Sequence, residues 1–254
     1  MILTGNTIFV TGGASGIGRA LAESFHRLGN QVVISGRRQN ALDDVTRENP
    51  GMRSVCMDVT QAEQVKSVSR YVMQTYPELN VLINNAGIMR PEDVVANENY
   101  IEDAEEILST NFLGPARLTA ALLSHLRGRP RATIINVSSD LAFVPMVTHP
   151  TYCASKAALH SYSMSLRHQL IGTSIELIEL IPPYVQTSLM GTQQLTDERA
   201  MPLEAYIRET MDILSTQPGI PEVVVDRCKP FRFSAENGTA EHLFEGLNVT
   251  HELG

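Results

Sequence analysis

Tyr152 and Lys156 stand four residues apart in PTYCASKAALH, behind a proline and ahead of an alanine-rich run. Residues at i and i+4 share one helix face, so a helix starting here brings the ammonium beside the phenol. A neighbouring cation favours phenolate and lowers a pKa that is ordinarily about 10, which would let Tyr152 give and take a proton near neutral pH. The same pair also suits a merely solvated first helical turn, and Tyr-x3-Lys by itself does not decide between them. Cys153 reads as a small packing residue rather than a nucleophile. His149 and His160 flank the pair, but their separation argues against a metal site, and no metal is expected.

A second stretch suggests phosphate chemistry. TGGASGIG, Thr11 to Gly18, places Gly12, Ser15, Gly16, Ile17 and Gly18 between a short apolar run and a helical pattern. Glycines at G-x3-G-x-G permit a tight turn whose N–H groups approach a pyrophosphate at a helix N-terminus. The next apolar run ends in Gly36-Arg37-Arg38, with no acid to hold the adenosine ribose hydroxyls. Two guanidinium groups there suit a 2′-phosphate, so NADP(H) is expected over NAD(H).

These groups need a frame. Thr7–Thr11, Gln31–Ser35, Val81–Asn84, Ala132–Val137 and Ser174–Ile181 read as strands, with Val55–Met57 a shorter candidate. Several are apolar almost throughout, as strands covered on both faces are. Helical patterns lie between them at Ile17–Leu28, Gln39–Glu48, Gln61–Tyr76, Asp103–Leu126 and Tyr152–Leu170. The alternation predicts an α/β fold, a single-domain Rossmann-type doubly wound parallel sheet flanked by helices on both faces. The domain should span residues 1–254, with a substrate-binding segment at about 186–220. Glu222–Asp226 fits either strand or helix. Apolar residues on more than one face of the last two helical patterns, among them Leu118, Leu122, Leu159 and Leu166, predict a homodimer or homotetramer.

Composition narrows the class. The chain has 254 residues, 43% hydrophobic, with a formal net charge of −8. It carries no basic run of nucleic-acid type and no apolar run of membrane-spanning length. Three scattered cysteines form neither a disulfide framework nor a zinc spacing, and MILTGNTIFVTGG lacks the layout of a signal peptide. The expectation is a soluble, cytoplasmic protein with a small-molecule partner.

With these motifs in order, the chain resembles the short-chain dehydrogenase/reductase family. Asn84-Asn85-Ala86-Gly87 matches the family's N-N-A-G, Asn111 falls at its catalytic asparagine, and Ser139 lies where its catalytic serine does relative to Tyr152. INVSSDLAFVP, PPYVQT and KPFRF are similar to a bacterial branch labelled DltE-like. The resemblance implies hydride transfer between a nicotinamide and a carbonyl or alcohol. Tyr152 would be its acid/base and Lys156 would hold the nicotinamide ribose. Ser139 would donate to the substrate oxygen, and Asn111 would position a water that links Lys156 to solvent. It also implies Asp58 and Val59 at the adenine, Asn85, Ala86 and Gly87 along the cofactor, and Val185 and Thr187 at the carboxamide. Pro183 replaces the family's glycine in that last loop, so positive φ is excluded there. Leu141, Phe143, His149, Tyr184 and Met190 are expected with Ser139 around an apolar substrate. A non-catalytic NADP(H)-binding sensor or scaffold on the same fold is the alternative, with a sugar-nucleotide epimerase a weaker third.

Overall fold

A computed structural model describes residues 1–96 and 100–249. Seven parallel strands form one sheet in the order β3-β2-β1-β4-β5-β6-β7. They are β1 Thr7–Thr11, β2 Gln31–Gly36, β3 Arg53–Cys56, β4 Leu79–Asn84, β5 Ala132–Val137, β6 Ile175–Ile181 and β7 Glu222–Val224. The order reverses between β1 and β4, which opens a crevice at the carboxyl ends of the strands.

Alternate side chains along each strand enter two cores. Ile8, Val10, Val32, Ile34, Val81, Ile83, Ile135 and Ile178 pack under α1 (Gly16–Arg27), α2 (Gln39–Glu48) and α7 (Leu203–Thr216). Phe9, Val33, Leu82, Ile134 and Leu177 pack on the other face, under α3 (Ala62–Thr75), α5 (Gly114–Arg127) and α6 (Pro150–Gln169). Both faces are covered, which explains why β1, β4 and β5 are buried along their whole length.

Three expectations change here. The single helical pattern Asp103–Leu126 is α4 (Tyr100–Leu108), a π turn at Ser109–Leu113, and α5. Pro115 in the first turn of α5 has no N–H to return to the carbonyl four residues back, and the wider turn absorbs that loss. Leu118, Leu122, Leu159 and Leu166 are all buried within the chain, so they do not form a second, unpartnered face. Glu222–Asp226 divides into β7 and a 3₁₀ turn at Asp226–Cys228, followed by α8 (Lys229–Arg232) and α9 (Ala240–Asn248). Pro183 keeps to negative φ, since no described residue other than glycine has positive φ. No helix of the described residues is long and apolar enough to cross a membrane.

Candidate active site

The glycine turn closes against the end of β4. Asn85 Nδ2 donates to Thr11 O at 3.0 Å and Gly12 O at 3.3 Å, while the Asn85 and Ala86 N–H groups both donate to Thr11 Oγ1 at 3.0 Å. Gly12 adopts φ +65° and Gly16 φ +52°, where a side chain is strained. A Cβ at Gly18 would stand 2.2 Å from Asn85 Nδ2, so this glycine admits packing rather than facing the crevice. The α1 N-terminus has no side-chain cap and no acid in its first turn. Its unpaired N–H groups border the crevice, which fits an anionic pyrophosphate.

The crevice is a cavity of about 480 Å³ that runs from this turn to Tyr152 and Lys156. Gly12, Ser15, Gly16, Ile17, Arg37, Arg38, Asp58, Val59, Asn85, Ala86, Gly87 and Thr187 line it with those two. Val185 does not; it is buried, and its carbonyl accepts from Gln194 at 2.7 Å. Arg37 and Arg38 stand on the rim, Arg37 within 3.3 Å of Glu106. Asp58 caps its own turn through Thr60 at 2.9 Å.

At the inner end, Tyr152 and Lys156 are both buried on α6. The Lys156 ammonium lies 5.7 Å from the centre of the Tyr152 ring and donates to Val137 O at 2.8 Å. Burial pushes the phenol above its ordinary range; the Ser139 hydroxyl beside it pulls the other way, and Asp140 adds to the rise. Burial also lowers Lys156 to about 8. The direction is opposite to the lowering expected from Lys156: loss of solvent dominates at Tyr152. Of the two serines ending β5, Ser138 turns its hydroxyl to Leu180 O at 3.4 Å, and only Ser139 addresses Tyr152.

Asn111 sits in the π turn with its amide engaged. Its Oδ1 accepts from Ile88 N–H at 2.9 Å, and Nδ2 donates to Ile88 O at 2.9 Å and Ser155 Oγ at 3.0 Å. It clamps the Asn85–Ile88 segment onto α6 beside Lys156.

The expected substrate wall is only partly assembled. Leu141 packs with Met89, Met146 and Tyr152. Phe143 instead stacks edge-on with His160 at 4.7 Å, under the Arg232 guanidinium at 4.9 Å. Tyr184 donates to Asp197 at 3.1 Å, Met190 N–H donates to Gln194 at 2.8 Å, and His149 meets Thr148 at 2.9 Å; none of these three lines the cavity. His160 contacts both oxygens of buried Glu179, at 3.1 and 2.9 Å. Glu222 lies alongside, but Arg232 holds it at 2.6 Å and supplies the positive charge a metal ion would bring.

Residues 6–198 match the family model described as short chain dehydrogenase. The chain belongs to that family. An uncharacterised oxidoreductase, DltE, of Bacillus subtilis is 39% identical, over 98% of this chain and 99% of its own. A short-chain dehydrogenase of Streptomyces avermitilis shares the fold at a TM-score of 0.82 and 24% identity, over the whole of both chains. One from Burkholderia cenocepacia, solved with NADP, does so at 0.81 and 23%, over 96% of this chain and 99% of that one. Beyond the family's motifs, two site residues gave no signal of spacing. Arg90 lines the cavity and pairs with Asp103 and Glu106 at 2.6 Å each. Asp140 is buried against Ser139, and only the fold makes it part of the site.

Proposed function

We propose that this short-chain dehydrogenase is an NADP(H)-dependent oxidoreductase acting on a carbonyl or secondary alcohol. The observation that carries the proposal is the placement of buried Tyr152 and Lys156 at one end of a cavity, with buried Ser139 behind Tyr152, and of an uncapped helix N-terminus at the other. Arg37 and Arg38, with no acid in the sequence at the end of β2, support a 2′-phosphate. A relative in fold was solved with NADP, in keeping with that choice.

When bound, the nicotinamide supplies or takes the hydride. The Tyr152 phenol, held protonated at neutral pH by burial, gives its proton to the carbonyl oxygen, which favours reduction. Lys156 presents its ammonium to the ribose hydroxyls and stabilises phenolate once the proton has left. Ser139 stabilises charge developing on the substrate oxygen. Asn111 holds the backbone that lines this end of the cavity. The apolar side chains of Leu141, Met89 and Leu189 support a substrate with an apolar portion.

The test is NADPH oxidation across aldehydes, ketones and β-keto esters, with Tyr152→Phe as control. The variant should keep NADPH binding and lose about 10²–10⁴ in turnover. Near-normal reduction by Tyr152→Phe would end this reading. NADP(H) binding with no turnover by the unaltered protein would favour a sensor.

A further inference from the structure

One buried ionisable group beside the reacting centre has no part in that chemistry. Asp140 opens the 3₁₀ turn Asp140–Ala142 directly after Ser139, a place where a carboxylate is ordinarily solvated, yet it is buried. Its Oδ1 accepts from the Ser139 hydroxyl at 3.1 Å, and Ser139 Oγ in turn accepts from Leu141 N–H at 3.2 Å. A serine hydroxyl has one proton and two lone pairs. With the proton directed to Asp140, Ser139 has none to offer a substrate oxygen. Ser138 cannot replace it, because its own hydroxyl faces Leu180.

We propose that Asp140 is a proton-linked positioning residue that decides where Ser139 directs its hydroxyl proton. As a carboxylate, Asp140 holds that proton away from the reacting oxygen. As a carboxylic acid, it donates its own proton to Ser139 Oγ. The two lone pairs then accept from Asp140 and Leu141, and the hydroxyl proton turns to the substrate oxygen. The exchange takes one proton from solvent and rotates one hydroxyl; no bond to carbon forms or breaks. The effect on turnover rests on Ser139 acting as donor in the proposed carbonyl reduction.

The surroundings permit both states near neutral pH. Tyr152 and Cys153 face the carboxyl from α6, Tyr206 from α7, and Arg227 and Cys228 from the turn before α8. The phenols and thiols are pushed up by burial and stay neutral. The hydrogen bond from Ser139 pulls the carboxyl down, with smaller pulls from the Leu141 N–H and from Arg227. Glu209 acts on Tyr206 and Cys228, and Arg232 of α8 is held by Glu222 and Glu236. Just before α6 His149 meets Thr148, and on α6 His160 meets Glu179. Burial outweighs all three pulls, and the Asp140 carboxyl is raised to about 6.

Two measurements test this. The first follows kcat for reduction between about pH 5 and about pH 7.5, below the Lys156 titration. The unaltered enzyme should gain several-fold as pH falls through about 6. Asp140→Asn, whose amide donates to Ser139 at every pH, should be flat at the level of the acid form. Asp140→Ala, should the amide variant fail to fold, should also lose the step. A flat profile in the unaltered enzyme, or the same step in both, overturns the proposal. The second needs no turnover: the carboxylic acid infrared band of Asp140 should appear on acidification and be absent from Asp140→Asn. Ser139→Ala should raise its midpoint, because the carboxylate loses a donor. An unmoved midpoint overturns the coupling even if the protein reduces nothing, whereas a moved midpoint without turnover upholds the coupling and removes only the proposed activity.

Discussion

Lys156 is buried and donates to a backbone carbonyl, and in the proposed mechanism it carries the charge that serves a ribose and a phenolate. Its pKa, lowered to about 8, sets the upper edge of the working range. As pH rises through about 8 the ammonium is lost, so kcat/KM for reduction should fall along an alkaline limb centred there; a profile level to pH 10 would contradict this. Folding stability moves the other way. The folded protein binds fewer protons than the unfolded chain between about 8 and the ordinary 10.5, so this group costs stability below about 8 and that cost fades as pH rises. We propose that cofactor choice also turns on single residues. Arg38 makes no ion pair among the described residues, whereas Arg37 is shared with Glu106. Losing either charged phosphate contact should cost about 1.5–3 kcal/mol of NADPH binding and leave NADH nearly unchanged. Arg38→Ala and Arg37→Ala, titrated with both cofactors, test this; equal loss for both would remove the 2′-phosphate from the argument.

The elements that position these residues were legible in the sequence to different depths. Ala132–Val137 is a strand with the predicted ends because a run covered on both faces is apolar throughout. The edge candidate Val55–Met57 is displaced to Arg53–Cys56, where partial exposure leaves no such signature. The π turn that carries Asn111 left no trace, since one extra residue per turn barely disturbs helical periodicity. Contacts between elements were equally silent. Glu179 on β6 is fully buried, bonds His160 one turn beyond Lys156 on α6, and raises the Lys156 pKa against burial. Removing its charge in Glu179→Gln should lower the Lys156 pKa further and move the alkaline limb below about 8. An unmoved limb would make Glu179 a packing residue only. Gly18 shows the same dependence on neighbours. Gly18→Ala would press a methyl group on Asn85 Nδ2 and on Gly12 O, 2.4 Å away, for about 1–3 kcal/mol of overpacking and loss of the cofactor turn. Calorimetry alongside cofactor titration would detect both losses.

At the scale of the whole molecule, the motifs fix one end of the site because their residues are close in sequence to the strand ends that carry them. The substrate wall was less legible, since Phe143, Tyr184 and Met190 turn to partners that spacing does not reveal. Assembly follows the same pattern. The four leucines that suggested a second apolar face belong to the monomer's core, so any partner must meet what remains outside. On α5 and α6 that surface is mostly small: Ala120, Ala154, Ser161 and Ser165 are exposed. Leu113 and Met164 are the large apolar groups beside them, 41% and 53% exposed. Small side chains let two helices approach closely, and the two large ones offer apolar area to bury. We therefore propose a homodimer or homotetramer formed through α5 and α6, in keeping with the closed symmetry usual for such assemblies. Light scattering at micromolar concentration should give a multiple of the 27.9 kDa chain. Leu113→Glu with Met164→Glu should reduce it to the monomer, with the circular dichroism spectrum retained. A monomer before any substitution would refute the assembly, and a dimer indifferent to both charges would move it to another face.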